Sequence, residues 1–401
     1  MAEPTRFIIV ERLFKRDAEV EKRVNLSLAL VSLNHGMNHF HQLLLPVLLP
    51  KITSEYNLSN FVVGILLSCF NLSYSLFQTP VGYLSKKFKR KNLLAVGLVV
   101  TSLAFLIIGF VDNVIVLALL FILAGLGGST HHPTGMPLIS ELFKERRGQA
   151  SGFHQTGGAL GSFIGPLIAG FVTIALNWKS TLIVLSIPGF VLALILWRFL
   201  LEPERVVIEE KEEDDRGLYR PVLLLIGAGV FYTVALRGIN SFANQYFVYG
   251  RGIASLAEAS FLFSMLQVAG LFSGPFSGRL SDRFGRRKVL VALVLVQSAS
   301  LYALLAASPS LLIVPCLVFG FTSFGLLTIT DAYLTDITPK KYVDAVFGLH
   351  YTISFSVGAI VPPILGYIID LYGFNIGFSI LGLVVPFGIV LLSRLKQTKP
   401  T

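Results

Sequence analysis

Long uncharged stretches constrain the fold of this 401-residue chain more than any other feature. A helix needs roughly 20 apolar residues to cross a bilayer. Nine uncharged runs have about that length or more: 25–50, 56–85, 92–111, 113–140, 148–178, 180–197, 259–278, 345–369 and 371–393. The run 289–330 is long enough for two crossings, and 221–250 adds one that only Arg237 interrupts. Because lipid offers no partner to backbone polar groups, the sequence predicts an all-α membrane protein with twelve transmembrane helices.

A repeated basic segment shows that the two halves of the chain are related. GYLSKKFKRK at 82–91 returns as GRLSDRFGRR at 278–287, a displacement of 196 residues. The same displacement places His154 on His350 and Pro166 on Pro362. Parallel duplication is typical of secondary transporters, in which similar bundles rock about a shared site. We therefore expect two six-helix bundles related by a pseudo-two-fold axis along the membrane normal. The expected units are an N-terminal segment 1–24, a bundle 25–201, an acidic linker 202–218, a bundle 219–394 and a tail 395–401.

The positive charges predict the orientation of the chain. Short loops rich in Lys and Arg stay cytoplasmic, and 29 of the 33 basic residues fall on the side that carries both termini. The opposite side holds only Lys51, Lys179 and Arg251. We therefore expect a multi-pass protein of the inner or plasma membrane with cytoplasmic termini. The net charge of +10 requires no nucleic-acid partner, because contact with anionic lipid accounts for it.

Every histidine of the chain lies in a predicted span. An imidazole exchanges a proton near neutral pH, so these residues and Asp331 are candidates for proton coupling. The alternative for each is a hydrogen-bonded contact between helices. Two of them have the i, i+4 spacing of helical zinc ligands, but no Glu follows the first and no third ligand is evident, so we predict no metal site and no cofactor. The histidines are His35, His39, His41, His131, His132, His154 and His350.

Arg237 is the most costly residue to place in a membrane, at roughly 2.5–3.5 kcal/mol for a helix centre. It needs an anionic partner or a wet cavity. As the repeat mate of His41, it is expected to face a central cavity that both residues share. Asn240 and Asn244 continue its helical face, which makes this stripe a candidate surface for a carboxylate or a phosphonate-like group. The alternative is an internal salt bridge to Asp331.

The basic loops resemble a known family. The segment 278–287 matches G-x-L-S-D-R-x-G-R-R and resembles the signature loop of the major facilitator superfamily. The resemblance implies cytoplasmic gates in which basic residues bind acidic groups at neighbouring helix ends. The first copy departs from the pattern, with Lys86 in place of Asp, and the alternative is that the loops only fix topology. The expected pairs are Arg90 with Glu141 and Arg286 with Asp336, and the other gate residues are Gly82, Lys87, Gly278, Asp282 and Arg283.

Span 5 carries a stripe of small residues ahead of a proline. Glycine at every fourth position lets helices approach closely, and proline bends the helix. The segment GGALGSFIGPLIAG at 157–170 is similar to a motif associated with antiport in drug-efflux members of the superfamily, although Ala169 makes the match partial. Export is one interpretation and plain helix packing is the other. The residues concerned are Gly157, Gly161, Gly165, Pro166 and Gly170.

Within the superfamily, the chain resembles the fosmidomycin-resistance group of exporters. The similar positions are His35, Asn38, His132-Pro133 and the segment that begins at Gln155. His39 and Thr134 stand where that group tends to carry acidic side chains.

We therefore expect a monomeric carrier that works by alternating access and exports a small organic anion or drug-like solute in exchange for protons. An importer of a small organic acid is the alternative. A membrane sensor is the non-transport alternative. A sensor should carry an appended signalling domain, and the sequence predicts no such domain. An enzyme is not expected, because no Ser, Cys or carboxylate completes a catalytic set at His131-His132-Pro133. The expected substrate-binding residues are His35, Asn38, His41, Gln155, Arg237, Asn240 and Asn244.

Overall fold

The computed structural model describes residues 4–143, 146–203, 219–339 and 342–397, so most of the acidic linker and the end of the tail lie outside the described residues. Within these ranges the chain is helical. The helices are α1 (Pro4–Tyr56), α2 (Asn60–Lys87), α3 (Arg90–Ile108), α4 (Val114–Gly128), α5 (His131–Leu142), α6 (Arg147–Ala175), α7 (Trp178–Phe199), α8 (Tyr219–Gln245), α9 (Leu256–Phe284), α10 (Arg286–Ala306), α11 (Ile313–Ile337), α12 (Val343–Val384) and α13 (Phe387–Leu392).

The helices account for the predicted crossings. Ten segments are long and apolar enough to span a membrane, and α4 with α5 forms one of them. The segment Val346–Leu392 has 47 residues, about 70 Å of helix and twice the hydrocarbon thickness. It bends at Gly373, whose φ of 81° favours glycine. Counting this segment twice and adding α1, which contains the first predicted span, gives the twelve expected crossings.

The helices pack as two bundles that match the two halves of the sequence. In the first, α1 packs on α6, α3 on α7 and α2 on α4; in the second, α8 packs on α12 and α9 on α11. Many large apolar side chains remain exposed on the outer surface, for example Phe110, Ile115 and Phe272. Such a surface suits lipid, where apolar groups need no burial. The predicted fold class is confirmed.

A break in the fourth span sets the position of two histidines. The span was expected to be one helix, but α4 ends at Gly128 and α5 begins at His131. Pro133 lies in the first turn of α5. Backbone N–H groups in a first turn have no partner within the helix, so the absence of this group in proline costs no helical hydrogen bond. A Cβ on Gly127 would lie 2.6 Å from the carbonyl oxygen of Gly97, so α4 approaches the backbone of α3 very closely. The break places His131 and His132 at the start of a new helix.

The two bundles contact each other at one end and separate towards the other. At the end that carries Lys51, the Gln245 amide donates to the Thr53 hydroxyl at 2.7 Å, and the Tyr249 hydroxyl donates to the Pro50 carbonyl at 2.6 Å. At the end of the basic loops, a Cβ on Gly152 would have no neighbour within 4 Å. The same holds for a Cβ on Gly348, the repeat mate of Gly152. We call the Lys51 end closed, because these hydrogen bonds join the bundles there, and we call the end of the basic loops open, because neither glycine meets another element there among the described residues.

Candidate functional site

Arg237 lies between the bundles and has no carboxylate partner among the described residues. Its guanidinium carbon is 5.4 Å from the centre of the Phe355 ring, and its Nε is inaccessible to solvent and makes no hydrogen bond. The Phe355 ring is also 5.5 Å from the ring of Tyr74 and 5.9 Å from the ring of His132. Phe355, which sequence reasoning missed, therefore joins α8 and α12 of one bundle to α2 and α5 of the other.

The expected alternative partner of Arg237 is bound elsewhere. Asp331 on α11 accepts a hydrogen bond from the Tyr351 hydroxyl at 3.3 Å, and its other oxygen lies 3.5 Å from Nε2 of His350. The alternative interpretation of Arg237, an internal salt bridge to Asp331, therefore does not hold. Asp331 and His350 form a half-buried acid–imidazole pair inside the second bundle.

The polar stripe beyond Arg237 is only partly directed at the space between the bundles. Asn240 is half-buried, and its Oδ1 accepts a hydrogen bond from Nε2 of Gln267 at 2.9 Å. Asn244 is buried against α9, and its Nδ2 makes no hydrogen bond. Gln267 was not expected, although the 196-residue displacement marks it as the mate of Asn71. Asn71 donates to the Gly358 carbonyl in the other bundle at 3.1 Å.

The expected substrate residues of the first bundle take three different positions. Asn38 donates to the Gly128 carbonyl at 2.8 Å and accepts from the Tyr74 hydroxyl at 3.1 Å. Gln155 is exposed at the open end. His41 is buried with its ring centre 5.3 Å from that of Phe105. Its recorded contacts lie within the first bundle, so the expectation that it shares a cavity with Arg237 is corrected.

Five histidines from α1, α5 and α6 form a histidine cluster: His35, His39, His131, His132 and His154. The centre of the His35 ring lies 4.7 Å from that of His131 and 4.3 Å from that of His154, and both pairs are stacked. Nδ1 of His35 is 3.0 Å from the His154 carbonyl, and its Nε2 is 3.1 Å from Nε2 of His39. The sequence identified the residues but did not show that they converge.

The matching position of the second bundle is built differently. His350 is the repeat mate of His154, and both are buried. His154 stacks on an imidazole of α5, whereas His350 faces the carboxylate of Asp331 on α11. The titratable candidates thus form three groups. The histidine cluster contacts no carboxylate among the described residues, His350 is paired with the carboxylate of Asp331, and His41 lies apart from both.

Both expected ion pairs at the basic loops are present. Arg90 Nη1 lies 2.7 Å from Glu141, and Arg286 Nε lies 2.9 Å from Asp336. Arg286 also binds Asp282 within its own loop. The remaining gate residues are half-buried or exposed at this end: Gly82 and Gly278 are half-buried, and Lys87 and Arg283 are exposed.

The first basic loop compensates for its missing aspartate. Glu202, which follows α7, accepts hydrogen bonds from the backbone N–H groups of Arg90 and Lys91 at 3.0 and 2.9 Å. A carboxylate at a helix N-terminus is favoured by the unpaired N–H groups and by the helix dipole. Sequence reasoning missed Glu202 because no spacing rule connects it to α3.

The glycine stripe of span 5 packs α6 directly on α1. A Cβ on Gly161 would lie 1.9 Å from the Gly36 carbonyl oxygen, and one on Gly157 would lie 2.3 Å from that of Ser32. Gly165 faces Phe40 on the same helix α1. Gly170, beyond Pro166, instead faces Ser260 of the other bundle. The stripe therefore contributes to packing both within and between bundles.

Comparisons with known proteins agree with this architecture. The model of the Major Facilitator Superfamily matches residues 28–254 and again 225–401. The fosmidomycin resistance protein of Escherichia coli (strain K12) is 26% identical over 361 residues, which cover 86% of each chain. The hexuronate transporter of Bacillus subtilis (strain 168) is 25% identical over 388 residues, covering 89% of this chain and 91% of that one.

The fold is also similar to a solved structure. A bacterial homolog to the human lysosomal transporter Spinster, crystallised in an inward-facing and occupied conformation, aligns with a TM-score of 0.76 at 17% identity. The alignment covers 92% of this chain and 93% of the other.

Proposed function

Because the chain belongs to the Major Facilitator Superfamily and is a membrane transporter, we propose that it exports a small organic anion in exchange for protons. The observation that carries this proposal is Arg237, a permanent cation between the bundles without a carboxylate partner among the described residues. A buried charge is costly unless it is paired. A bound anionic substrate pairs with the guanidinium of Arg237, and the charge is unpaired again after the substrate leaves.

The surroundings of Arg237 suit a small solute with one charged group. The Phe355 and Tyr74 rings offer apolar surface beside the guanidinium. Asn240 can donate from its Nδ2, since only its Oδ1 is bonded, to Gln267, whereas Asn38 is already bonded to Gly128 and Tyr74. Guanidinium groups bind carboxylates and phosphonates through two parallel hydrogen bonds. Two relatives fit this chemistry by name, since one confers resistance to fosmidomycin and the other transports hexuronates.

The asymmetric contact between the bundles supports alternating access. The structure is closed at the Lys51 end and open at the basic loops. If those loops are cytoplasmic, as the charge distribution predicts, this state is open to the cytoplasm. A substrate shifts the balance between two such states only through its different affinity for each of them.

We place the coupling proton on the Asp331–His350 pair. The carboxylate and the imidazole are 3.5 Å apart and make no hydrogen bond with each other, so either group can take up a proton next to the other, and both lie in the bundle that also provides Arg237. Tyr351 donates to the same carboxylate, and Tyr232 binds Thr330 beside it. The second bundle therefore offers one titratable pair in addition to the residues that would carry the substrate.

The test is transport by Arg237→Gln in proteoliposomes with an imposed pH gradient, using fosmidomycin and glucuronate as probes. Losing a charged hydrogen bond costs about 1.5–3 kcal/mol, which is a roughly tenfold to hundredfold loss of apparent affinity. Arg198→Gln is the matched control, because this exposed arginine lies over Phe199 at the end of α7. Unchanged transport by Arg237→Gln would falsify the anion site.

A second candidate is an importer of a small organic acid, which the similarity to the hexuronate transporter favours. The same vesicles distinguish the two directions when the pH gradient is reversed. Export by antiport requires substrate and protons to move in opposite directions, and import by symport requires them to move together.

A further inference from the structure

We propose that His35, His131 and His132 form a binding site for a divalent transition-metal ion of the zinc type. One ring nitrogen from each residue can be chosen so that all three lie within 4.8 Å of one another. His35 comes from α1, and the other two come from the start of α5. The sequence predicted no metal site because it showed no third ligand, and the convergence of these helices supplies one. The inference goes beyond the proposed transport function and does not depend on it.

In two of these rings Nδ1 has a polar partner, so Nε2 is the nitrogen of each that a metal would use, and Nε2 of His35 is in contact with His39. A carbonyl oxygen can only accept, so the contact with His154 requires a proton on Nδ1 of His35 and leaves a lone pair on Nε2. Nδ1 of His131 is 2.9 Å from Nδ2 of Asn34, which can only donate, so Nδ1 accepts and the proton of the neutral ring is on Nε2. That Nε2 is buried without any partner. Metal binding through Nε2 requires the Asn34 side-chain amide to turn over, so that its oxygen accepts from a proton on Nδ1. Both rings then have the arrangement of metal-binding histidines, in which the second nitrogen donates to a backbone carbonyl or another polar acceptor.

The donor set selects the class of metal. Imidazole nitrogens suit zinc, copper and nickel, whereas calcium and magnesium require oxygen ligands. Three histidines with one open position form a known type of zinc site. His39 lies beside this set, because its Nε2 is 3.1 Å from Nε2 of His35, although only the other three histidines bring one nitrogen each within 4.8 Å of one another. The distance between the two Nε2 atoms is near the ligand–ligand distance of about 3.4 Å in a tetrahedral site with Zn–N bonds of about 2.1 Å.

One ring of the cluster is partly exposed and borders the second bundle. His132 is half-buried, and its ring centre lies 5.9 Å from that of Phe355 in the second bundle. Arg237 contacts the same phenyl ring. An ion can therefore enter from the central space, and the nearby guanidinium should weaken its binding by charge repulsion.

The experiment measures zinc bound to the purified full-length protein in detergent after removal of metal with a chelator and dialysis against Zn²⁺. We expect one zinc ion per chain, measured by inductively coupled plasma mass spectrometry. Replacing zinc with Co²⁺ should give the intense visible absorption of a tetrahedral nitrogen-ligated ion. His132→Gln, at a half-buried position, should lower zinc affinity by at least a hundredfold.

Two further variants separate a metal site from simple packing. Asn34→Ala should weaken zinc binding about tenfold to hundredfold, the usual effect of removing an outer-shell partner. His41→Gln is the matched control, because this buried histidine of the same helix has its ring against Phe105, and it should bind zinc normally. Arg237→Gln should bind zinc at least as tightly as the unmodified chain, even if it no longer transports.

Three results would overturn the proposal. These are no bound zinc in a protein that unfolds cooperatively, an octahedral cobalt spectrum, or zinc binding that His132→Gln and Asn34→Ala leave unchanged.

Discussion

Asp331 shows how the partner of one residue decides its chemistry. From the sequence it was a candidate both for proton coupling and for a salt bridge with Arg237. The structure places it instead against His350 and Tyr351. A carboxylate held by a permanent guanidinium would stay ionised, whereas one beside an imidazole can gain and lose a proton. The pairing therefore favours the coupling role.

Asp331→Asn should uncouple transport from the proton gradient. The amide keeps the shape of the protonated acid but cannot titrate, so a pH gradient should no longer drive net movement. Exchange of labelled for unlabelled substrate at equal concentrations should continue. Glu258→Gln is a suitable control, because Glu258 is an exposed carboxylate in the first turn of α9. Gradient-driven transport by Asp331→Asn at the normal rate would remove Asp331 from the mechanism.

At the scale of an element, α6 combines close packing at its centre with open space at its start. Gly161 lies against the backbone of α1, whereas a Cβ on Gly152, more than two turns earlier, would meet no other described element within 4 Å. Both positions are helical. The same residue type in one helix is therefore required at one position and replaceable at the other.

Gly161→Ala should destabilise the protein, because its Cβ would overlap the Gly36 carbonyl at 1.9 Å. Overpacking of this kind costs about 1–3 kcal/mol. Gly152→Ala should instead stabilise α6 by roughly 0.5–1 kcal/mol, since alanine loses less backbone entropy in a helix. Thermal unfolding of both variants in detergent measures the difference. Equal unfolding temperatures would mean that α1 and α6 do not approach as closely as described.

At the scale of the whole molecule, one carboxylate joins the two bundles at the closed end. Asp370 of α12 accepts hydrogen bonds from the backbone N–H groups of Asn60 and Phe61, each at 2.8 Å, at the start of α2. Beside it, a Cβ on Gly366 would lie 2.2 Å from the Asn60 carbonyl oxygen. These contacts must separate if the closed end is to open.

Asp370→Ala should shift the population towards states open at the Lys51 end. A carboxylate at a helix N-terminus contributes about 1–2 kcal/mol in favourable geometry, which corresponds to a roughly five- to thirtyfold change in the equilibrium. Double electron–electron resonance spectroscopy measures the distance between spin labels at positions 51 and 310, one on each bundle. We expect this distance to be longer in Asp370→Ala.

The control for this prediction is Asp112→Asn. Asp112 also lies at the Lys51 end, but its partner Lys179 belongs to the same bundle, so the distance between the labels should not change. An unchanged distance in Asp370→Ala would show that the apolar and backbone contacts alone hold this end closed.

The sequence by itself determined the helical membrane fold, the duplication and the ion pairs of the basic loops. The fold and the duplication follow from patterns that can be read along the chain, namely the length of uncharged runs and one fixed displacement. The ion pairs follow from the resemblance of the basic loops to the signature loop of the superfamily. The sequence also identified every histidine of the cluster, because polar residues are rare within apolar spans.

Only the tertiary structure decided which of these residues meet. The convergence of His35, His131 and His132, the pairing of Asp331 with His350, and the burial of His41 away from Arg237 depend on the rotation of each helix about its axis. That rotation is set by side-chain packing between helices distant in sequence, such as the glycine contacts of α6 with α1. No local pattern in the chain specifies these contacts.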